Sequence, residues 1–403
     1  MNILYVANVC SKNKYKELFD KKIIRGLPQA QKYHNLILEG FNKNLLEKIT
    51  VISAYPTNRK WSKTLFYSYK KEEVGGIIYN YSFFLNIFFL RQICLFIFSF
   101  LYTIYYIYFN KNGIVFCDVL CRASSLGARI ASFILKIKCI GIITDIPGKS
   151  SNSLNDKGIL KKMLKKIDLL TINKFDGYLL LTQAMNTLVN KNRKPYIVLE
   201  GHSDLKMKER KNTIEIKNEK RTIMYSGGIR EEYGIKILIE AFLKIQNKEW
   251  ELHIYGDGNY KNDLIKISSK NKNIKYFGVI NNEEIVKQQM KADILINPRL
   301  TNNEYTKYSF PSKNMEYMAS GTPMIGTLLD GMPKEYIEYI YIIKNETLDG
   351  FIEVISKVMN KSREELHEKG EKSKEFVIEN KNNLIQTKKI IKFVERILNK
   401  EKR

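Results

Sequence analysis

The stretch SFPSKNMEYMASGTPMI, Ser309 to Ile325, decides how the C-terminal half of the chain folds. A proline at a helix start, a short helical run, the glycine Gly321 at its end and an apolar segment from Pro323 follow one another as in an α/β unit. Pro311-Ser312-Lys313 would aim the first helical amides and an ammonium at a phosphate. Glu316, about one helical turn further on, stands where a ribose diol would donate to it.

Just upstream, Ile294–Ile296 reads as a strand and Asn297-Pro298-Arg299 follows its C-terminal end, where ligands of open α/β sheets collect. An arginine there can clamp a diphosphate through two parallel hydrogen bonds, although a surface arginine after a strand is as common. Further upstream, Tyr225-Ser226-Gly227-Gly228-Ile229-Arg230 reads as a loop between the strand Thr222–Tyr225 and a helical pattern over Gly234–Ile245. Gly227 and Gly228 let backbone amides come close to a phosphate, with Arg230 beside them; tight turns use glycine pairs in the same way.

The same alternation of short apolar runs and helical patterns fills the chain. Ile3–Val9, Ile49–Ala54, Gly76–Phe84, Ile114–Cys117, Cys139–Thr144, Tyr178–Leu181 and Tyr196–Leu199 read as one series of strands. Thr222–Tyr225, Glu251–Tyr255, Ile274–Phe277, Ile294–Ile296 and Pro323–Ile325 read as a second. Continuous apolarity suits parallel strands covered on both faces, so the fold class is α/β with two Rossmann-like doubly wound sheets. At 403 residues the chain exceeds what one core fills. The expected division is 1–205, 206–380 and a last helix over 381–403, with a polar linker near 205–220.

Net charge is +25, and residues 1–200 carry 30 Lys and Arg against 12 Asp and Glu. So basic a half is drawn to anionic partners: a membrane surface, a nucleic acid or a phosphate-bearing substrate. Nucleic acid is not expected, because no basic-aromatic recognition module is present. Five cysteines, odd in number and set in apolar runs, read as reduced thiols, and their spacing suits no metal site. Met1-Asn2 leads directly into an apolar strand without a basic n-region, which predicts a cytoplasmic protein. Two segments bear on membranes. Gln92–Phe109 is uncharged and long enough to invite comparison with a span; its place between two strands favours a buried crossover helix, with an interfacial helix or a true span as alternatives. Ile159–Leu170 puts Lys161, Lys162, Lys165 and Lys166 on one helical face and apolar residues on the other, either a solvated helix or one that docks on anionic lipid.

Taken together, the glycine loop, YGDG (Tyr255–Gly258), INPR (Ile296–Arg299) and SFPSKNMEYMASGTPMI resemble the glycosyltransferase family 4 enzymes of bacterial capsule and exopolysaccharide assembly. ILYVANV, GLPQAQKYHN (Gly26–Asn35), TDIPG (Thr144–Gly148), DGYLLLTQAM (Asp176–Met185) and EGHSD (Glu200–Asp204) are similar to elements of one bacterial branch. The resemblance implies a GT-B fold: two Rossmann-like domains facing a cleft, the first for the acceptor, the second for a nucleotide sugar, and a last helix crossing back. It implies transfer with retention and no metal or other cofactor; no Asp-x-Asp occurs in the chain.

Carried over by position, Glu316 matches the second glutamate of the family's E-x(7)-E signature, the one that holds the ribose. The first falls at Tyr308, which puts the sugar contact in question; Glu304, four residues earlier, is a possible substitute. The family's Arg and Lys after the glycine loop fall at Gly228 and Tyr233, which leaves Arg299 and Lys313 as the diphosphate clamps. Asp145 either faces the reacting sugar carbon or supports a turn before Ile146-Pro147-Gly148. His34 and Gln29 lie in the segment expected to line the acceptor side, and a structural role for His34 is the alternative. The function expected is transfer of a hexose-type sugar from a UDP-sugar to a lipid-linked or growing glycan at the inner face of the plasma membrane. Because of Tyr308, a non-catalytic partner that stabilises an active glycosyltransferase is the other reading.

Overall fold

This computed structural model describes residues 1–24, 28–146, 166, 168–302 and 304–399. They form two compact units, Met1–His202 with Asn383–Arg403, and Ser203–Asn382.

The N-terminal unit runs β1 (Asn2–Val6), α1 (Lys12–Asp20), α2 (Pro28–Asn44), β2 (Ile49–Ser53), β3 (Phe66–Tyr67), β4 (Lys70–Val74), β5 (Ile77–Tyr81), β6 (Phe84–Leu85), α3 (Phe88–Phe109), β7 (Gly113–Asp118), α4 (Arg122–Ile134), β8 (Cys139–Ile143), β9 (Gly177–Leu180), α5 (Gln183–Val189) and β10 (Tyr196–Val198). Eight strands lie in the order β10-β9-β8-β7-β1-β2-β5-β4. Every pair is parallel except β4 with β5. From β1 the chain winds outward through β2 and β5, then returns to β7 and winds the other way, so the sheet reverses direction between β1 and β7. The central strands are buried residue after residue because helices cover both faces. At the free edge stands β4, Lys-Lys-Glu-Glu-Val, whose charges discourage pairing with another chain.

The C-terminal unit runs β11 (Arg221–Gly228), α6 (Ile235–Ile245), β12 (Trp250–Asp257), α7 (Lys261–Lys270), β13 (Ile274–Gly278), α8 (Asn282–Lys291), β14 (Ile294–Asn297), α9 (Ser312–Ala319), β15 (Met324–Thr327), β16 (Tyr341–Ile343), α10 (Leu348–Met359) and α11 (Arg363–Asn380). Its strand order, β13-β12-β11-β14-β15-β16, is that of a dinucleotide-binding sheet, all parallel, with the switch point between β11 and β14. The core is built by Ile223, Leu252, Ile254, Ile294 and Ile296 of the strands against Leu238, Phe242, Phe351 and Ile355 of α6 and α10. The chain then rejoins the first unit as α12 (Asn383–Asn399). Asn44 Nδ2 donates to Thr387 Oγ1 at 2.8 Å, and Gly40 leaves no room for a Cβ beside Asn383 O and Thr387.

Four sequence readings need correction. Gly76–Phe84 is not one strand: β5 ends at Tyr81, and β6 pairs separately and antiparallel with β3. The stretch near 205–220 belongs to the C-terminal unit; its short 3-10 turns at Leu205–Glu209 and Ile214–Ile216 are anchored by Asn212 Nδ2 on Ser320 O and by Lys217 Nζ on Met290 O and Ala292 O. Tyr225–Gly228 is not a loop, since β11 continues through both glycines. Finally, α3 is a crossover helix as expected but not a buried one: only 17% of its most apolar 18-residue window is buried. Most of Ile159–Leu170 lies outside the described residues.

Candidate functional site

The C-terminal ends of β11 and β14 flank the switch point, the position where open α/β sheets bind ligands. Three glycines bring the strand ends together here. A Cβ on Gly256, which has φ +133°, would meet Gly227 O at 1.8 Å, and one on Gly258 would meet Ile229 O at 2.1 Å. YGDG thus acts by letting β12 close on the end of β11. A Cβ on Gly227 would fall 1.8 Å from Lys313 Nζ, so the missing side chain is what lets the ammonium lie over the strand.

Lys313 reaches that place from the first turn of α9. The inner face of α9 is fixed by Asn314, whose Oδ1 accepts from Asn297 Nδ2 at 2.7 Å, and by Tyr317, whose hydroxyl accepts from Ser226 N at 2.8 Å. With 314 and 317 turned inward, Lys313 and Glu316 share the neighbouring face, and Ser312 is exposed at the helix start. Lys313 Nζ donates to Tyr225 Oη at 3.0 Å and stands 4.4 Å above that ring; Tyr225 Oη donates onward to Gly228 O at 2.7 Å. Burial, then the nearby Arg299 guanidinium, lowers the lysine pKa to about 7 against an opposing pull from Glu316. An ammonium held this way gains most from an anion.

Arg299 follows β14. Its Nη2 donates to Ser309 Oγ at 2.8 Å, its guanidinium lies 4.8 Å from the Tyr305 ring centre, and its buried Nε has no hydrogen-bond partner among the described residues. Tyr233 completes the cluster, its ring centre 5.8 Å from Arg299 and 5.9 Å from both Lys313 Nζ and the Arg230 guanidinium. Gly228 owes its place to this ring, which a Cβ would meet at 2.9 Å. Glu316 Oε1 accepts from Gln289 Nε2 at 2.7 Å; Gln289 is fully buried on α8. Sequence reasoning missed Gln289 and gave Tyr225 and Tyr233 no role of their own, because their roles arise from contacts across the sheet.

The structure therefore gathers Gly227, Gly228, Arg230, Arg299, Lys313 and Glu316 about the C-terminal ends of the central strands β11 and β14. Glu304 and Tyr308 are the two ends of one 3-10 segment, Glu304–Tyr308; Glu304 is exposed, Tyr308 half-buried, and Tyr305 between them packs under Arg299. Such a cluster can neutralise a diphosphate without a cation of its own. Among the described residues no group of three or more His, Cys, Asp or Glu is placed to hold a metal ion.

The remaining expected residues lie in the N-terminal unit. His34 is buried at the switch point between β1 and β7. Its Nε2 meets Asp118 Oδ2 at 3.2 Å and its Nδ1 meets Tyr5 Oη at 2.7 Å. Nε2–H donating to the carboxylate leaves Nδ1 to accept from the phenol, so both nitrogens are used in holding β1, α2 and β7 together. Asp118, at the end of β7, went unnoticed in the sequence. Gln29 is exposed on the first turn of α2; Gln31 and Asn35 instead hold the chain after β1, at Asn8 and Cys10. Asp145 follows β8 and accepts from Ile146 N at 2.9 Å, as a turn-supporting aspartate does.

Comparison with known proteins agrees with this architecture. The model of the family of glycosyl transferases group 1 matches residues 206–376, which lie within the C-terminal unit. Among curated proteins none matches the chain. Similar solved structures include sucrose-phosphate synthase (tll1590) from Thermosynechococcus elongatus, at TM-score 0.70 and 10% identity over 99% of this chain and 100% of that one. The apo lipopolysaccharide outer core galactosyltransferase WaaB is similar at TM-score 0.61 and 17% identity, with 98% and 99% covered. Anabaena Alr3699/HepE in complex with UDP follows at TM-score 0.64 and 11% identity, with 98% and 100% covered. The shared fold is GT-B, with its two Rossmann-like units.

Proposed function

We propose that the chain is a retaining, metal-independent glycosyltransferase that moves a sugar from a UDP-sugar to a lipid-linked or growing glycan acceptor in cell-surface glycan synthesis, as a cytoplasmic enzyme. The observation that carries this reading is the Lys313 ammonium, held over the glycine end of β11 beside Arg299 and one helical turn before Glu316. In this reading Lys313, Arg299, Arg230 and the amides of Gly227, Gly228 and Ser312 take the diphosphate, and Glu316, oriented by Gln289, takes the ribose. Three cations on a leaving diphosphate supply the charge stabilisation that a metal supplies elsewhere. The UDP preference draws on the UDP bound by Anabaena Alr3699/HepE, and the glycan acceptor on the galactosyltransferase WaaB. Glu304 and Tyr308 are the proposed groups beside the donor sugar, and Asp145 and Gln29, in the N-terminal unit, are proposed for the acceptor, His34 there being engaged with Tyr5 and Asp118.

Incubation of the purified chain with a panel of UDP-sugars tests the reading, measured as UDP released by transfer or hydrolysis. Release from one sugar, lost in Glu316→Ala and Lys313→Ala, is the expected result. Tyr308 in place of an acidic residue favours a second reading, a donor-binding subunit that supports another glycosyltransferase. It predicts binding without release.

A further inference from the structure

α3 is 22 residues long with a mean hydropathy of 1.6 in its most apolar window, and most of that apolarity faces outward. Phe89, Ile93, Ile97, Leu101, Tyr105 and Phe109, spaced every fourth residue, are all exposed, from 43% at Ile97 to 70% at Phe89. Beside them, α4 adds Ile130, Phe133 and Ile134, with Phe133 71% exposed. The two helices are held tightly: a Cβ on Gly127 would lie 2.5 Å from Phe96 O. The result is one continuous apolar face far larger than isolated exposed side chains make.

The exposed charges just past the C-terminal ends of its two helices are lysines. Between Val74 and Lys138 the sequence holds six basic residues and one acidic residue, Asp118; Asp118 is buried against His34, Arg129 is buried on Lys174 O, Arg91 donates to Tyr55 O, and Arg122 pairs with Asp168. Lys111 and Lys136, both exposed, follow the C-terminal ends of α3 and α4. A second copy docking through this face would bring lysines onto lysines, whereas an anionic bilayer offers apolar chains below and phosphates at the rim. The exposed tyrosines Tyr105 and Tyr108 suit the headgroup level, where aromatic rings with a polar end settle.

We infer that the α3–α4 face is a monotopic membrane-docking surface for bilayers rich in anionic lipid. α3 leads from β6 into β7, a central strand of the sheet, so it lies in the plane of the interface with its outer face sunk to about 5–10 Å and does not cross. This deepens the acceptor part of the proposed function, since a lipid-linked acceptor is met at that surface, but it does not depend on donor binding.

The test is co-sedimentation of the full chain with vesicles of phosphatidylcholine and phosphatidylglycerol at about 3:1, against pure phosphatidylcholine, with the double variant Leu101→Glu/Phe133→Glu alongside. Both substituted side chains are exposed, and thermal unfolding together with stabilisation by UDP reports that the variant is folded. The expected result is at least tenfold tighter binding to the anionic vesicles and at least a tenfold loss in the variant. Wild-type chain that stays in the supernatant, equal binding by the variant, or dimers that the variant abolishes while vesicle binding persists would each overturn the inference. Loss of vesicle binding with UDP stabilisation intact separates this surface from the donor site.

Discussion

At the scale of single residues the site turns on Lys313. Its folded-state pKa of about 7 lies below the ordinary lysine value of 10.5. Between those values the unfolded chain binds more protons than the folded one, so this residue makes stability rise with pH across that window. A bound diphosphate favours the charged form and reverses the preference. The affinity for UDP-glucose, whose phosphates are diesters without a titration near neutrality, is therefore expected to fall as pH rises from 7 to 9, by up to about tenfold per unit. Lys313→Met should show a flat profile in the same calorimetric titration, with weaker binding at pH 7 and a higher melting temperature for the unliganded chain at pH 6. Glu316→Ala removes the carboxylate proposed to hold the ribose and should weaken donor binding by about 1.5–3 kcal/mol, more than tenfold. The pairing of Lys313 with Glu316 was legible from their spacing on a short helix. The part played by Gly227 was not, because its reason is the ammonium that occupies the space of its Cβ.

At the scale of elements, the seam between α3 and α4 depends on one small residue. Gly127→Ala places a Cβ against the backbone of Phe96 and Phe100 and should destabilise the chain by about 1–3 kcal/mol, read as a lower midpoint in urea at unchanged slope. The buried central strands were legible because a parallel sheet covered on both faces leaves an unbroken apolar run. β4 was not, since its lysines and glutamates are the composition of a free edge and carry no apolar signal. α3 misled for a related reason. An all-round apolar helix reads as buried, and sequence alone does not distinguish cover by protein from cover by lipid. The 3-10 turns after His202 have too few residues to show a period, and they hold their places through side-chain bonds from Asn212 and Lys217.

At the scale of the whole molecule, two sheets wound in the same sense each offer a switch point, and the two are furnished differently. The C-terminal one holds glycines and cations; the N-terminal one is filled by the Tyr5, His34 and Asp118 network. Near that network His202 is buried with neither ring nitrogen bonded among the described residues, and burial, followed by the nearby His34, lowers its pKa to about 3. Since the unfolded chain takes up this proton near pH 6.5, stability should be lost as pH falls from 6.5 towards 4. His202→Phe should lose less over that range when melting temperatures are compared. The central claim, that the glycine end of β11 and the first turn of α9 together hold a nucleoside diphosphate, is tested most directly by calorimetric titration of the full chain with UDP at pH 7. Saturable binding at one site, weakened more than tenfold by Lys313→Ala and by Glu316→Ala, is the predicted result; no binding of UDP or of any UDP-sugar, or binding that both substitutions leave unchanged, would contradict it.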